Sequence, residues 1–294
     1  MLGLPAGSAG NNPRPARPWY HPMELARRAM YYYLFIFVAL YFLQSFLLFP
    51  RWVTGAVMSP VKAAETALGN GLVPWKSASG ELQGYVPQDF KKPGPRGTIV
   101  VFHGNGGWAS DRTYYVDAFQ PRGFRTFLAE YPGYGGRPGS PSEASIVPPA
   151  RELIRALDRE GYGPVYIWGE SVGSGIAASI CADPRLPVHG LALLTPWDSL
   201  TAVASAHYPI IPVRILLADK YDSIANLARF AHPVCVIAGT KDVVIPLRHA
   251  QNLYAHLPEP KKLILHEGAG HNDWPGEAQL PWWDDALDFI APRK

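Results

Sequence analysis

From about Gly71 onward, short β-branched apolar runs alternate with helical stretches, and few architectures accept that order. An early strand, "ELQGYVP", is followed by "GTIVVFHG", "FRTFLAEY", "GPVYIWGE", "VHGLALLTP", "PVCVIAGT" and "KKLILHEG". From "GTIVVFHG" on, the runs are continuously apolar, as strands buried on both faces should be. Between them lie "SPSEASIVPPARELIRALDREG", "SVGSGIAASICADP", "HAQNLYAHLP" and "LPWWDDALDFIA". The first of these opens with Ser140-Pro141-Ser142-Glu143, a capping-box spacing with proline at the first helical position, and Pro148-Pro149 is expected to interrupt it. Strand alternating with helix predicts an α/β fold, with a mostly parallel central sheet covered by helices on both faces. In such sheets the chemistry gathers at the carboxyl ends of strands.

Three strand ends carry reactive groups. "FHGNGGW", Phe102 to Trp108, is a glycine-rich turn that can expose backbone N–H groups, and such groups stabilise an oxyanion in acyl transfer. His103 belongs to the strand's last turn and reads as structural rather than as a base. "IWGESVGSG" runs from strand to helix through Gly169-Glu170-Ser171-Val172-Gly173, the context of a nucleophile elbow, with small residues where a sharp turn is crowded. Val172 would supply one oxyanion N–H and the His103–Gly106 turn another. Late in the chain, "IAGTKDVVIP" sets Asp242 beyond one strand and "LHEGAGHND" sets His271 beyond the next. A serine hydroxyl needs a base, and the base needs a carboxylate to orient it.

Charge and hydropathy divide the chain unequally. Residues 1–51 carry five arginines against Glu24, so the remainder holds 22 basic and 23 acidic residues. That near-neutral body argues against a nucleic-acid surface. With 48% hydrophobic and 17% charged residues, the chain can build a large core. "MYYYLFIFVALYFLQSFLLF", Met30 to Phe49, contains no charge and as a helix would reach about 30 Å, the thickness of a bilayer's hydrocarbon core. It is longer than the roughly 7–15 residues of a signal h-region, which favours a retained anchor over residues 30–50. A cleaved signal is the alternative, with "TGA" at Thr54–Ala56. Four arginines precede the segment, which predicts a cytoplasmic N-terminus and a body in the periplasm, the lumen or the exterior. Residues 1–29 are expected to be a disordered basic tail, 51–70 a juxtamembrane linker and 71–294 the catalytic domain. Cys181 and Cys235 are expected to be free, structural thiols. His266, His271 and Asp273 lack a third-ligand pattern, so no metal or organic cofactor is expected.

"FHGNGG", "EYPGYGGRPGSPSE", "GESVGSG", "YPIIPVRILLADKYDS", "GTKDVVIPLRHA" and "GHNDW" together resemble the α/β-hydrolase superfamily. More narrowly they resemble its membrane-anchored bud-emergence-like branch, which includes abhydrolase-domain-containing proteins with a serine aminopeptidase S33-like domain. The resemblance spans roughly residues 70–292. The order serine, acid, base on Ser171, Asp242, His271 is that of α/β hydrolases. The resemblance places the oxyanion turn on "HGN", with Asn105 giving a backbone N–H, and prefers Asp242 over Asp198 of "TPWDS" as the acid. Where the family has Arg-Gly-Tyr-Gly, this chain reads Pro132-Gly133-Tyr134-Gly135 after Tyr131. It also implies a small cap after the fold's sixth strand, about residues 199–230, with Tyr208, Ile210, Ile211 and Trp108 near the substrate. The expected activity is hydrolysis of esters or related acyl bonds in a small-molecule or lipid-like substrate, with the anchor contacting membrane lipid. A serine peptidase on the same fold is one alternative. A non-catalytic membrane-tethered binding protein is another.

Overall fold

The computed structural model describes residues 22–92 and 94–293 and divides into a unit ending at Phe42 and a second unit, Leu43–Lys294. Helix α1 (Pro22–Leu48) runs from the first into the second, is long and apolar enough to cross a membrane, and buries none of its residues. It stops where Pro50 disfavours helical geometry at the residue before it. The basic tail expected over 1–29 is therefore partly helical, since residues 22–29 form the first turns of α1, while residues 1–21 lie outside the described residues.

The described residues of the second unit are built on an eight-stranded sheet. Its strands are β1 (Leu72–Lys76), β2 (Leu82–Pro87), β3 (Gly97–Phe102), β4 (Phe124–Ala129), β5 (Val165–Glu170), β6 (Val188–Leu194), β7 (Val234–Gly239) and β8 (Lys261–His266), in the spatial order β1-β2-β4-β3-β5-β6-β7-β8. β3 to β8 run parallel, and β2 is antiparallel to both β1 and β4. After β3 the chain first adds β4 on one side and then β5 on the other. That reversal opens a crevice at the carboxyl ends of β3 and β5.

Alternation along the strands splits the core into two layers. Val100, Phe102, Ile167, Leu191 and Val236 face one side, and Ile99, Val101, Trp168, Ala192 and Ile237 the other. Helices α4 (Glu143–Arg159), α5 (Val172–Ile180) and α9 (Leu247–His256) cover the first layer, while α3 (Thr113–Phe119) and α10 (Trp282–Ile290) cover the second. Cys181 and Cys235 are free and buried, and burial pushes the Cys235 thiol up to about 12.

Three local expectations need correcting. The capping box lies two residues later than its sequence spacing suggests, because Ser142 Oγ accepts from Ser145 N at 3.1 Å and Ser145 Oγ accepts from Ser142 N at 2.9 Å. Pro148-Pro149 does not interrupt α4. Both prolines lie away from the buried stripe of Ile146, Ala150, Leu153 and Leu157, so the carbonyls they leave without helical donors are on the outer side. Residues 51–70 are not a plain linker: they contain helix α2 (Pro60–Gly69), capped by Ser59, and bury Ala56, Ala63 and Ala67. Small side chains there permit close packing, as where Gly135 N donates to Ala56 O at 3.0 Å.

Candidate active site

Ser171 stands between β5 and α5 with φ 54° and ψ −117°, a left-handed conformation uncommon for a residue with a side chain. Ser171 N donates to Leu194 O at 2.9 Å, and Ser174 Oγ donates to Gly169 O at 2.8 Å, fastening the turn to its own strand and to β6. The two glycines are required by proximity. A Cβ on Gly169 would lie 2.7 Å from Ser174 Cα, and one on Gly173 would lie 2.6 Å from the Phe102 carbonyl carbon.

The loops after β7 and β8 are joined by Thr240 N donating to His266 O at 3.1 Å and Lys241 N to Ala269 O at 2.8 Å. They bring Asp242 and His271 together. Asp242 Oδ2 lies 2.7 Å from His271 Nδ1, and Asp242 Oδ1 accepts from Val244 N at 2.9 Å and Ile245 N at 2.8 Å. His271 Nε2 is 2.9 Å from Ser171 Oγ. A carboxylate on Nδ1 favours a proton there and leaves Nε2 free to accept from the serine. Asp198 is engaged elsewhere: it is 2.9 Å from His249 Nδ1 and accepts from Asn252 Nδ2 at 2.8 Å.

The Gly104–Gly106 turn faces the same cavity as Ser171 and Val172. Asn105 turns its side chain away from chemistry, Nδ2 donating to Leu48 O at 2.9 Å. His103 is buried beneath the turn, Nε2 3.1 Å from Glu130 Oε1, and stacks on Tyr131. The cavity has a volume of about 630 Å³. Helices α6 (Leu200–His207), α7 (Val213–Leu216) and α8 (Ser223–Leu227) occupy the segment expected as a cap. Of the cap and substrate residues expected from sequence, Tyr208 lines the cavity. Ile210 is 82% exposed and neither it nor Ile211 is in the cavity wall, because the turn after α6 carries them past the rim. Trp108 packs against the core instead of the cavity, since Asp111 Oδ1 accepts from its N–H at 3.2 Å and folds the turn inward.

Several residues at the site were missed by reading the sequence. Glu170 Oε2 accepts from Tyr114 Oη at 2.9 Å and Tyr115 Oη at 2.8 Å, with Arg112 Nε 3.5 Å away. Burial first, and then the Glu170 charge, raises both tyrosine hydroxyls above their ordinary range, so both remain donors. Burial disfavours the charge on Arg112, but Glu170 and Asp111 more than offset this. Arg112 also donates to Gly106 O, linking the glycine turn to the residue before Ser171. Glu170 was visible in the elbow sequence, but its partners lie some 55 residues upstream and carry no motif. Leu47 and Leu48 of α1, and Val243 to Ile245, also line the cavity. Among the described residues, no group of three His, Cys, Asp or Glu side chains is arranged to hold a metal.

A model of the alpha/beta hydrolase fold matches residues 97–211. Rv2307c, an uncharacterized protein of Mycobacterium tuberculosis, is 36% identical over 192 residues, covering 64% of this chain and 67% of that one. The lysophosphatidylserine lipase ABHD12 of Danio rerio is 27% identical over 212 residues, 66% of this chain and 55% of that protein. The uncharacterized membrane protein YNL320W of Saccharomyces cerevisiae is 25% identical over 265 residues, 86% of this chain and 91% of that one. A solved alpha-beta hydrolase from Vibrio vulnificus superposes with a TM-score of 0.58 at 19% identity, covering 83% of this chain and 91% of its own. Sheet order, elbow and sequence relatives agree: the chain belongs to the α/β-hydrolase family.

Proposed function

We propose that this chain is a membrane-anchored serine hydrolase that cleaves acyl esters of lipid-like substrates. The observation that carries the reading is the relay of Ser171 Oγ to His271 Nε2 at 2.9 Å and His271 Nδ1 to Asp242 Oδ2 at 2.7 Å, opening on a cavity with an extensive apolar wall. His271 Nε2 takes the hydroxyl proton as Ser171 Oγ attacks the ester carbonyl, and Asp242 stabilises the imidazolium. The negative oxygen of the tetrahedral intermediate is held by backbone N–H groups of Val172 and Asn105. Collapse breaks the acyl–oxygen bond, His271 returns the proton to the departing alcohol, and an acyl-serine remains. Water, deprotonated by the same imidazole, then releases the acid and restores the serine.

Lipase relatives such as the zebrafish protein support an acyl substrate. The length and apolarity of α1, together with the membrane assignment of the yeast relative, support anchoring. The arginines before the apolar segment support a cytoplasmic N-terminus with the body across the membrane.

A fluorophosphonate probe tests the reading directly, because its phosphorus mimics the tetrahedral centre. Ser171 should label in membranes and Ser171→Ala should abolish labelling while the protein stays folded. A folded wild type that neither labels nor hydrolyses any ester would overturn the proposal. Cleavage of aminoacyl-naphthylamides without ester hydrolysis would make the enzyme a peptidase instead.

A further inference from the structure

We infer that the last turn of the anchor helix, Leu47–Leu48, is one wall of the acyl-chain pocket, so that the anchor selects the substrate as well as tethering the enzyme; this rests on the ester-hydrolase reading above. Both leucines line the cavity that holds Ser171 and His271. Val203, Tyr208, Val243 and Val244 add apolar surface to that cavity, and Asn105, Arg112, Glu170 and Asn272 add polar groups to its lining. A cavity lined by both apolar and polar side chains fits a single-chain acyl ester of a polar alcohol, with the chain against Leu47 and Leu48 and the carbonyl at Ser171.

The leucines are fixed from both directions. Asn105, whose backbone is assigned to the oxyanion, donates its side-chain amide to Leu48 O at 2.9 Å. One turn earlier, Gln44 Oε1 accepts from Ala218 N in the cap at 2.7 Å. One residue later, Phe49 is 1% exposed and packs edge-on against Tyr134, which in turn donates to Asn105 O at 3.3 Å. The end of the anchor is thereby tied to the oxyanion turn on one side and to the cap on the other. An anchor that served only as a tether would need neither connection.

The test uses full-length protein in mixed micelles and a series of p-nitrophenyl esters from acetate to palmitate. Leu48→Trp should lower the palmitate-to-acetate ratio of kcat/KM by about tenfold or more, the scale on which apolar pockets discriminate chain length. Leu48→Ala should move the preferred ester toward longer chains, and it serves as the second variant should Leu48→Trp fail to fold. Unchanged chain-length preference in folded Leu48→Ala protein whose Ser171 still labels would overturn the inference. A wild type inactive on every ester and unlabelled at Ser171 would instead remove the ester-hydrolase reading, so the two failures are distinguishable.

Discussion

Gly173→Ala is a one-carbon change whose effect follows from the approach of α5 to the end of β3. The new Cβ would lie 2.6 Å from the carbonyl carbon of Phe102 and 2.8 Å from His103 O, with Phe102 O closer still. Ordinary contact begins near 3.4 Å, so these backbones must separate by at least about 0.8 Å to clear the carbonyl carbon and by more to clear its oxygen, and neither can yield by rotating a side chain. The strain should cost about 1–3 kcal/mol, or a melting point lower by about 2–12 °C. The same separation moves Ser171 away from the Gly104–Gly106 turn, and a displacement near 1 Å can lower the rate by about 10²-fold. The assay is thermal unfolding together with the second-order rate of fluorophosphonate labelling. Gly69→Ala is the control: nothing lies within 4 Å of its Cβ, and it should raise stability by about 0.4–1 kcal/mol. Gly173→Ala protein with wild-type melting and labelling would refute the claim that the elbow is held by close contact with β3.

In Asp242→Asn, the amide oxygen stays with the Val244 and Ile245 N–H groups and turns the NH₂ toward His271 Nδ1, which moves the imidazole proton to Nε2 and leaves no acceptor for Ser171; kcat should fall by about 10⁴-fold. Asp198→Asn should lower the melting temperature through its bonds to His249 and Asn252 while labelling of Ser171 stays near wild type, and the opposite pattern would move the acid to β6. Burial lowers the pKa of His266, so the unfolded chain binds its proton first and stability is lost as pH falls through about 6.5 toward the depressed folded value. His232 acts in the same sense, and His266→Phe should reduce the loss of stability measured between about pH 7.5 and 5.

The parts legible in the sequence were those whose signal is local. Continuous β-branched runs gave β3 to β8, and the three chemical groups sit within a few residues of strands that could be read. β1 escaped because Pro74 interrupts "LVPWK", and an edge strand tolerates a proline that a central one would not. α3 escaped because "TYYVDAF" is short and rich in rings of modest helix propensity, and its docking against the sheet through Tyr115 and Phe119 is a tertiary effect. The least legible element was the boundary between the apolar helix α1 and the unit that holds the sheet. Hydropathy marks where a segment turns polar, and it carries no record of what Phe49 or Ala56 will pack against after folding. The structure therefore separates two truncations that hydropathy would treat alike. A chain begun at Leu43, where the second unit starts, keeps Phe49, the Asn105–Leu48 bond and the Arg51 Nη1 bond to Gly139 O at 3.0 Å. A chain begun after residue 51 loses all three. Removing a buried phenylalanine alone costs about 3–5 kcal/mol, so the shorter chain should melt about 6–20 °C below the longer one in the same detergent. Equal melting of the two would mean that residues 43–51 are only a tether, and the wall they form beside Ser171 would then contribute nothing to the fold.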